Sequence, residues 1–170
     1  MVGYNIHIRH MNTRNKIIQF SQGRISDVTG CLQIIKKLPN YFTKKTHKEI
    51  KKCLDRKNFI IAKDVDSVIG FCCIEGKNQV VQEIAWLAVN PDSQREKVGT
   101  TLVRSALTRM KKTGAQYALV KTLDQTTHHD DYTQTRKFYE RLGFTKIITI
   151  DPYPRWDLEN PCAIYIKTIS

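Results

Sequence analysis

Two short stretches have the residue types and spacing for chemistry on a large anion and on a leaving group. Gln94-Arg95-Glu96-Lys97-Val98-Gly99-Thr100 follows a strand-like run that stops at Asn90-Pro91, and it opens an amphipathic helix. Such a turn exposes the first N–H groups of the helix, and the positive end of the macrodipole adds to their attraction for an anion. Gly99 lets the backbone approach a phosphate closely, and Thr100 adds a hydroxyl donor. No Gly-Lys-Ser/Thr follows, so the P-loop pattern is not satisfied. Further on, Phe138-Tyr139-Glu140-Arg141-Leu142-Gly143-Phe144 puts a phenol on a short helix that ends at a glycine. A phenol is neutral at pH 7 and donates to a developing anion, which suits a general acid.

Other reactive residue types are present with less pattern around them. Glu83, on a central strand-like run, is the candidate base and could act through a water, with Glu75 second. The bland reading of an exposed strand carboxylate is solvation, as it is for Arg141 on a helix surface. For Tyr139 the bland reading is packing beside Phe138. His128-His129-Asp130-Asp131 has metal-binding residue types, but adjacent residues rarely chelate one ion and no complementary ligands sit at helical spacing. It reads as a polar loop. No nucleophile elbow supports a Ser/His/Asp triad.

The elements that must position these residues follow from periodicity. Ile6 and Ile8 alternate with polar residues, and with Lys16-Ile17-Ile18-Gln19-Phe20 they suit a hairpin turning at residues 11–15. Ser26 or Asp27 caps a helix carrying Val28, Leu32, Ile35 and Leu38, which ends at Pro39-Asn40. A second helix from Lys44 to Asp55 buries Ile50, Cys53 and Leu54 and exposes its lysines. Runs at residues 59–62, 68–74 and 80–89 read as an antiparallel meander. The helix after Gly99 has an apolar face of Leu102, Val103, Ala106, Leu107 and Met110, and stops at Gly114. Tyr117-Ala118-Leu119-Val120-Lys121 then completes a strand–helix–strand unit, which implies a parallel pair. Residues 145–150 and 163–167 read as the last strands, separated by the proline-interrupted Asp151-Pro152-Tyr153-Pro154-Arg155-Trp156.

In this order the two reactive stretches resemble the acetyl-CoA-dependent GCN5-related N-acetyltransferase (GNAT) family, with residues 16–168 covered. Val120-Lys121-Thr122-Leu123, Thr135-Arg136 and Glu159-Asn160-Pro161-Cys162 resemble an uncharacterised bacterial and archaeal subgroup of it. The family's Gln/Arg-x-x-Gly-x-Gly/Ala pattern grips the pyrophosphate of coenzyme A. Gln94 and Gly99 match it, while Lys97 stands at the first glycine position. The amides survive that change if φ at Lys97 stays negative, and the ammonium can pair with a phosphate.

The resemblance implies coenzyme contacts from Gln94, Arg95, Glu96, Lys97, Val98, Gly99 and Thr100, with Thr135 and Arg141 added from the second stretch. It implies that Leu87, Ala88 and Val89, on a central strand running from Glu83, meet the pantetheine. One N–H there would polarise the thioester carbonyl, a contribution of about 3–4 kcal/mol. Tyr139 would protonate the departing thiolate, and Glu83 would serve as base. The implied fold is α/β, a mixed and mostly antiparallel sheet flanked by helices and splayed where two central parallel strands diverge. The implied reaction is direct attack of a primary amine on acetyl-CoA in a ternary complex, with no metal. Residues 1–15 read as an extension with a strand, and 16–170 as one N-acetyltransferase domain.

Composition narrows the partners. The 170 residues suffice for one well-packed core, and no apolar run approaches the roughly 20 residues that cross a bilayer. The start lacks a charged segment followed by an apolar block, so no secretory signal is expected. Five cysteines without a C-x-x-C pair suit reduced thiols in a cytoplasmic protein. Of the net charge of +12, residues 1–63 carry +11, with 14 Lys/Arg against Asp27, Glu49 and Asp55. The resemblance implies an acceptor groove lined by the early helices and the last strand pair, where the lysines and Trp156 fall, which favours an anionic small-molecule acceptor or an acidic protein surface over a polycation. A monomer or homodimer is expected. A rival reading is a non-catalytic module that senses coenzyme A or binds nucleic acid through the basic third. Stabilisation by RNA alone, lost with salt, would distinguish it from stabilisation by acetyl-CoA.

Overall fold

The structure is a computed structural model that describes residues 8–11, 17–127, 131–154 and 156–169. In chain order the elements are β1 (Ile8–Met11), β2 (Ile17–Gln22), α1 (Val28–Lys36), α2 (Lys44–Asp55), β3 (Phe59–Asp64), β4 (Ser67–Gly76) and β5 (Val81–Val89). Then come α3 (Val98–Lys112), β6 (Tyr117–Leu123), α4 (Asp131–Arg141), β7 (Thr145–Ile150) and β8 (Cys162–Thr168). The chain forms two compact units: residues 1–75 with 84–109, and residues 76–83 with 110–170. Strand β5 contributes to both.

In the first unit the strand order is β1-β2-β3-β4-β5. The β1/β2, β2/β3 and β3/β4 pairs are antiparallel. The expected hairpin at the start is thus present, while Ile6 and the turn residues 12–15 lie outside the described residues. Side chains alternate across β3 and β4, and both faces are covered, so four successive β3 residues (Phe59 to Ala62) are buried. Phe59, Ile61, Phe71 and Cys73 join Val28, Cys31, Ile35, Ile50, Cys53 and Leu54 of α1 and α2 in one core. Gly70, paired with Ala62, faces α3: a Cβ there would lie 3.0 Å from Leu102 Cδ1, 3.2 Å from Val98 Cγ1 and 3.2 Å from the Ala88 carbonyl oxygen. The bare backbone at Gly70 lets α3 seat directly on the sheet.

Helix α2 matches its expected bounds, and Thr43 caps it by accepting from the Thr46 N–H at 3.4 Å. The start of α1 differs from expectation. A 3-10 turn at Ile25–Asp27 leads into α1, so Asp27 makes no side-chain cap to it. Its carboxylate instead accepts from the Arg24 N–H at 2.8 Å and pairs with Lys63 Nζ at 2.6 Å. Leu38 lies beyond the end of α1 and is only partly buried. All five cysteines are buried and free.

In the second unit the order is β5-β6-β8-β7. The expected parallel pair is present, running from Val81↔Tyr117 to Glu83↔Leu119, while β5 continues to Val89 and β6 to Leu123. Strand β8 pairs antiparallel with both β6 and β7. Ala118, Val120, Phe144, Cys162, Ala163 and Tyr165 are buried here. The segment from Asp151 to Pro161 is irregular apart from Arg155, which lies outside the described residues. Among the described residues no helix is long and apolar enough to cross a membrane.

Gly70→Val puts branched carbons against a backbone carbonyl that cannot yield. Urea unfolding is expected to show a loss of about 2 kcal/mol, the usual scale of overpacking.

Candidate functional site

In the first unit, one candidate segment grows from the end of β5. Ala88 is buried, and Leu87 and Val89 are half-buried. The Asn90 N–H donates to the Ile69 carbonyl at 2.8 Å, which holds the strand end against β4. A 3-10 turn, Pro91–Ser93, follows, with Asn90 Oδ1 accepting from the Asp92 N–H at 3.4 Å. The Gln94 side chain folds back to donate to the Val89 carbonyl at 3.5 Å.

Arg95 and Lys97 have φ of +64° and +62°, and Glu96 between them is not in that region. Alternation of φ sign is the backbone pattern of an anion-binding nest, in which successive N–H groups converge. The condition set from sequence, a negative φ at Lys97, is not met. The turn must join a strand end pinned to Ile69 with a helix whose Val98 and Leu102 rest on Gly70. The glycine-like path survives with a lysine in it, at a backbone cost of about 1 kcal/mol. The first bond of α3 runs from the Thr101 N–H to the Lys97 carbonyl at 3.0 Å, so the N–H groups of Val98, Gly99 and Thr100 precede the helical ladder. Gln94, Arg95 and Lys97 are exposed, Gly99 and Thr100 half-buried, and Glu96 and Val98 buried. Such a loop has the backbone and the cationic side chains to hold a diphosphate.

In the second unit, another candidate segment is built on α4. The helix ends as expected: Gly143, at φ +81°, donates to the Glu140 carbonyl at 2.9 Å, and Phe144 donates to the Tyr139 carbonyl at 3.1 Å. This is a Schellman motif, and α3 closes on the same pattern at Gly114. Tyr139 is 6% exposed, with its ring edge-on to Phe138 at 5.2 Å and to Phe144 at 5.6 Å. The packing expected as its bland role is therefore present, and it also fixes the direction of the ring. Thr135 is half-buried and Arg141 exposed.

Polar ties hold α4 to its sheet. Arg136 donates to the Leu123 carbonyl and to Thr133 Oγ1, each at 2.9 Å. The Tyr165 hydroxyl donates to Glu140 at 3.2 Å, and burial together with that bond pushes the Tyr165 phenol up to about 12. At the exit of β6, Asp124 is 1% exposed. Its carboxylate pairs with Lys146 and accepts from Thr149 Oγ1 at 2.8 Å and from the Thr126 N–H and Oγ1 at 3.1 Å. Burial alone would raise this carboxyl, but the hydrogen bonds outweigh it and hold the group well below the usual range.

Glu83 was read as an exposed strand carboxylate; it is 4% exposed. Lys77 Nζ lies 2.5 Å from one of its oxygens and Lys121 Nζ 3.0 Å from the other. Burial would lower the Lys121 ammonium, but Glu83 overrides this and raises it. Lys121 also donates to the Tyr153 hydroxyl at 3.2 Å and stands 5.4 Å from that ring's centroid, and Tyr153 is edge-on to Trp156. Glu75 lies 3.8 Å from Arg56. Asp124, Lys77, Lys121 and Tyr153 were not singled out from sequence. Asp124 had a local signal in its Asp-x-Thr turn, whereas Lys121 shares a face with Glu83 only once the Glu83↔Leu119 register is known. His128, His129 and Asp130 lie outside the described residues, and among the described residues no group of three or more His, Cys, Asp or Glu could hold a metal.

A family model described as an acetyltransferase (GNAT) domain matches residues 55–146, more than half of the chain. No curated protein matches the sequence. The fold is similar to that of a GNAT-family acetyltransferase from Desulfovibrio desulfuricans, at 20% identity and a TM-score of 0.77 over 90% of this chain and 99% of the other. It is similar to an aminoglycoside 6'-N-acetyltransferase complexed with coenzyme A, at 18% identity and 0.69 over 89% and 97%. It is also similar to the ribosomal-protein-S18-alanine N-acetyltransferase of Escherichia coli, at 17% identity and 0.68 over 90% and 94%.

Two outcomes follow from this geometry. Asp124→Asn leaves Lys146 without its counter-charge and is expected to cost about 3 kcal/mol at neutral pH. Because the folded-state carboxyl sits below its unfolded value, that stability is present above about pH 4 and fades as pH falls through the depressed value. Melting curves of parent and variant should converge in strong acid. Lys97→Gly relieves a left-handed residue, and the unfolding free energy is expected to rise by about 0.5–1 kcal/mol.

Proposed function

The chain belongs to the GNAT acetyltransferase family, and from that premise we propose how its residues divide the transfer of an acetyl group from acetyl-CoA to an amine. The observation that carries the proposal is the φ alternation at Arg95 and Lys97 directly ahead of α3, within the residues the family model matches. The coenzyme supplies an activated acyl group as a thioester. The amides from Gln94 to Thr100 bind its diphosphate, with the Lys97 ammonium and the Arg95 guanidinium neutralising charge.

Leu87, Ala88 and Val89 line the pantetheine, and a backbone N–H among them donates to the oxygen where negative charge develops. Thr135 and Arg141 add outlying polar contacts. Tyr139 donates its phenolic proton to the thiolate, and its edge-on ring packing supports a fixed direction for that donation. Glu83, ion-paired to Lys77 and Lys121, accepts the proton of the incoming amine through water rather than directly, because both of its oxygens already face ammonium groups. No step calls for a metal. Residues 16–170 make up the catalytic domain in this reading, residues 1–15 an extension, and the location is cytoplasmic.

The acceptor we propose is an amine on an anionic molecule or an acidic protein surface. A groove of about 260 Å³ in the first unit is lined by Leu32, Lys36, His47, Lys48 and Lys51. Lys44, Lys45 and Lys52 extend the positive face along α2. Such a face attracts an anionic acceptor and repels a polycation.

Tyr139→Phe removes the acid and keeps the ring. Turnover is expected to fall by about 100-fold, while acetyl-CoA affinity by calorimetry stays within about twofold. Full turnover in that variant would take Tyr139 out of the mechanism. A labelled acetyl-CoA screen should rank acidic peptides and anionic small amines above polyamines, and Lys48→Glu should reverse part of that ranking.

A further inference from the structure

Strand β7 closes the sheet of the second unit on one side, pairing with β8 alone. Its outer row of N–H and C=O groups faces no other strand among the described residues. Proteins usually guard such an edge with a projecting charge, a proline or a bulge. The sequence Thr-Lys-Ile-Ile-Thr-Ile contains no proline, and five of its six residues are β-branched. Its one charge, Lys146, is drawn to the buried Asp124 carboxylate. A bulge falls at Ile147, which has no partner on β8 between the Lys146↔Tyr165 and Ile148↔Ile164 pairs. It shortens the regular edge without charging it, and it leaves Ile147 and Ile148 exposed at 56% and 51%.

From this edge we infer that two copies of the chain associate by antiparallel β7–β7 pairing about a twofold axis. The strand complements itself. With the axis between Ile147 and Ile148, Ile147 meets the partner copy's Ile148, Lys146 meets Thr149, and Thr145 meets Ile150. β-Branched pairs then flank the axis, and no like charges stand opposite one another. The charge distribution also favours a second copy here. Residues 64–170 carry a net charge of only +1, against +11 for residues 1–63, so joining two copies through β7 meets little repulsion. Because the pairing is isologous, it consumes the edge and closes at two chains. The inference stands apart from the acetyl-transfer reading and does not depend on it.

Sedimentation velocity on the full chain across a concentration series, with hydrogen exchange on the same samples, tests the pairing. A discrete monomer–dimer equilibrium is expected, with amide exchange in residues 145–150 slowing as the dimer fills. Ile148→Lys places two ammonium groups beside the axis and should weaken dimerisation by roughly tenfold or more. Ile17→Lys, at an isoleucine of similar exposure (53%) on β2, should leave it unchanged. Both substitutions are at exposed positions, and melting midpoints near that of the parent verify folding. The inference is overturned by a chain that remains monomeric throughout, or by assemblies that grow past two. It also fails if Ile148→Lys dimerises like the parent, or if exchange in residues 145–150 ignores concentration.

Discussion

The turn between β5 and α3 answers to constraints at both of its ends. On one side, the bond from Asn90 to the Ile69 carbonyl holds the strand end. On the other, Val98 and Leu102 come within van der Waals reach of where a Gly70 side chain would be. The few residues between must reverse direction inside that gap, and they do so by entering left-handed backbone twice, at Arg95 and Lys97. Glycine would make the turn with less strain. Lysine makes it with strain, and brings a cation to the turn where the diphosphate is proposed to bind.

The second unit handles its polar groups differently. Asp124 and Glu83 are both buried carboxylates that depend on ammonium partners. Asp124 gathers donors from its own turn and from β7, just where the chain leaves β6 for the segment that leads to α4. Arg136 and Tyr165 tie α4 itself to β6 and β8. Tyr139 therefore sits on a helix fixed by hydrogen bonds at several points and stopped by a Schellman motif. Such support restricts the side chain proposed to donate the proton. The same arrangement draws Lys146 away from the strand edge, so internal order in this unit and exposure of β7 have a common origin.

Much of the architecture was legible in the sequence because it rests on local periodicity and punctuation. The bounds of α2, the apolar face of α3, the stops at Gly114 and Gly143, and the strand–helix–strand unit all follow from neighbouring residues. The start of α1 was misjudged because Asp27 satisfies Arg24 and Lys63 rather than the helix, and Lys63 belongs to a distant strand. Glu83 was placed on the right strand with the wrong surroundings. Its burial depends on Lys77 and Lys121, and only the parallel register brings Lys121 to its face.

By itself, then, the sequence determined most of the helices and strands, where the turn ahead of α3 and the phenol fall, and the family to which the chain belongs. These depend on residue type and short-range spacing, which a linear chain carries in full. The tertiary structure alone decided the sign of φ at Lys97, the partners of Asp124 and Glu83, and the exposure of β7. Each of these is set by contacts between residues far apart in the chain, and a side chain's environment has no value until those contacts exist.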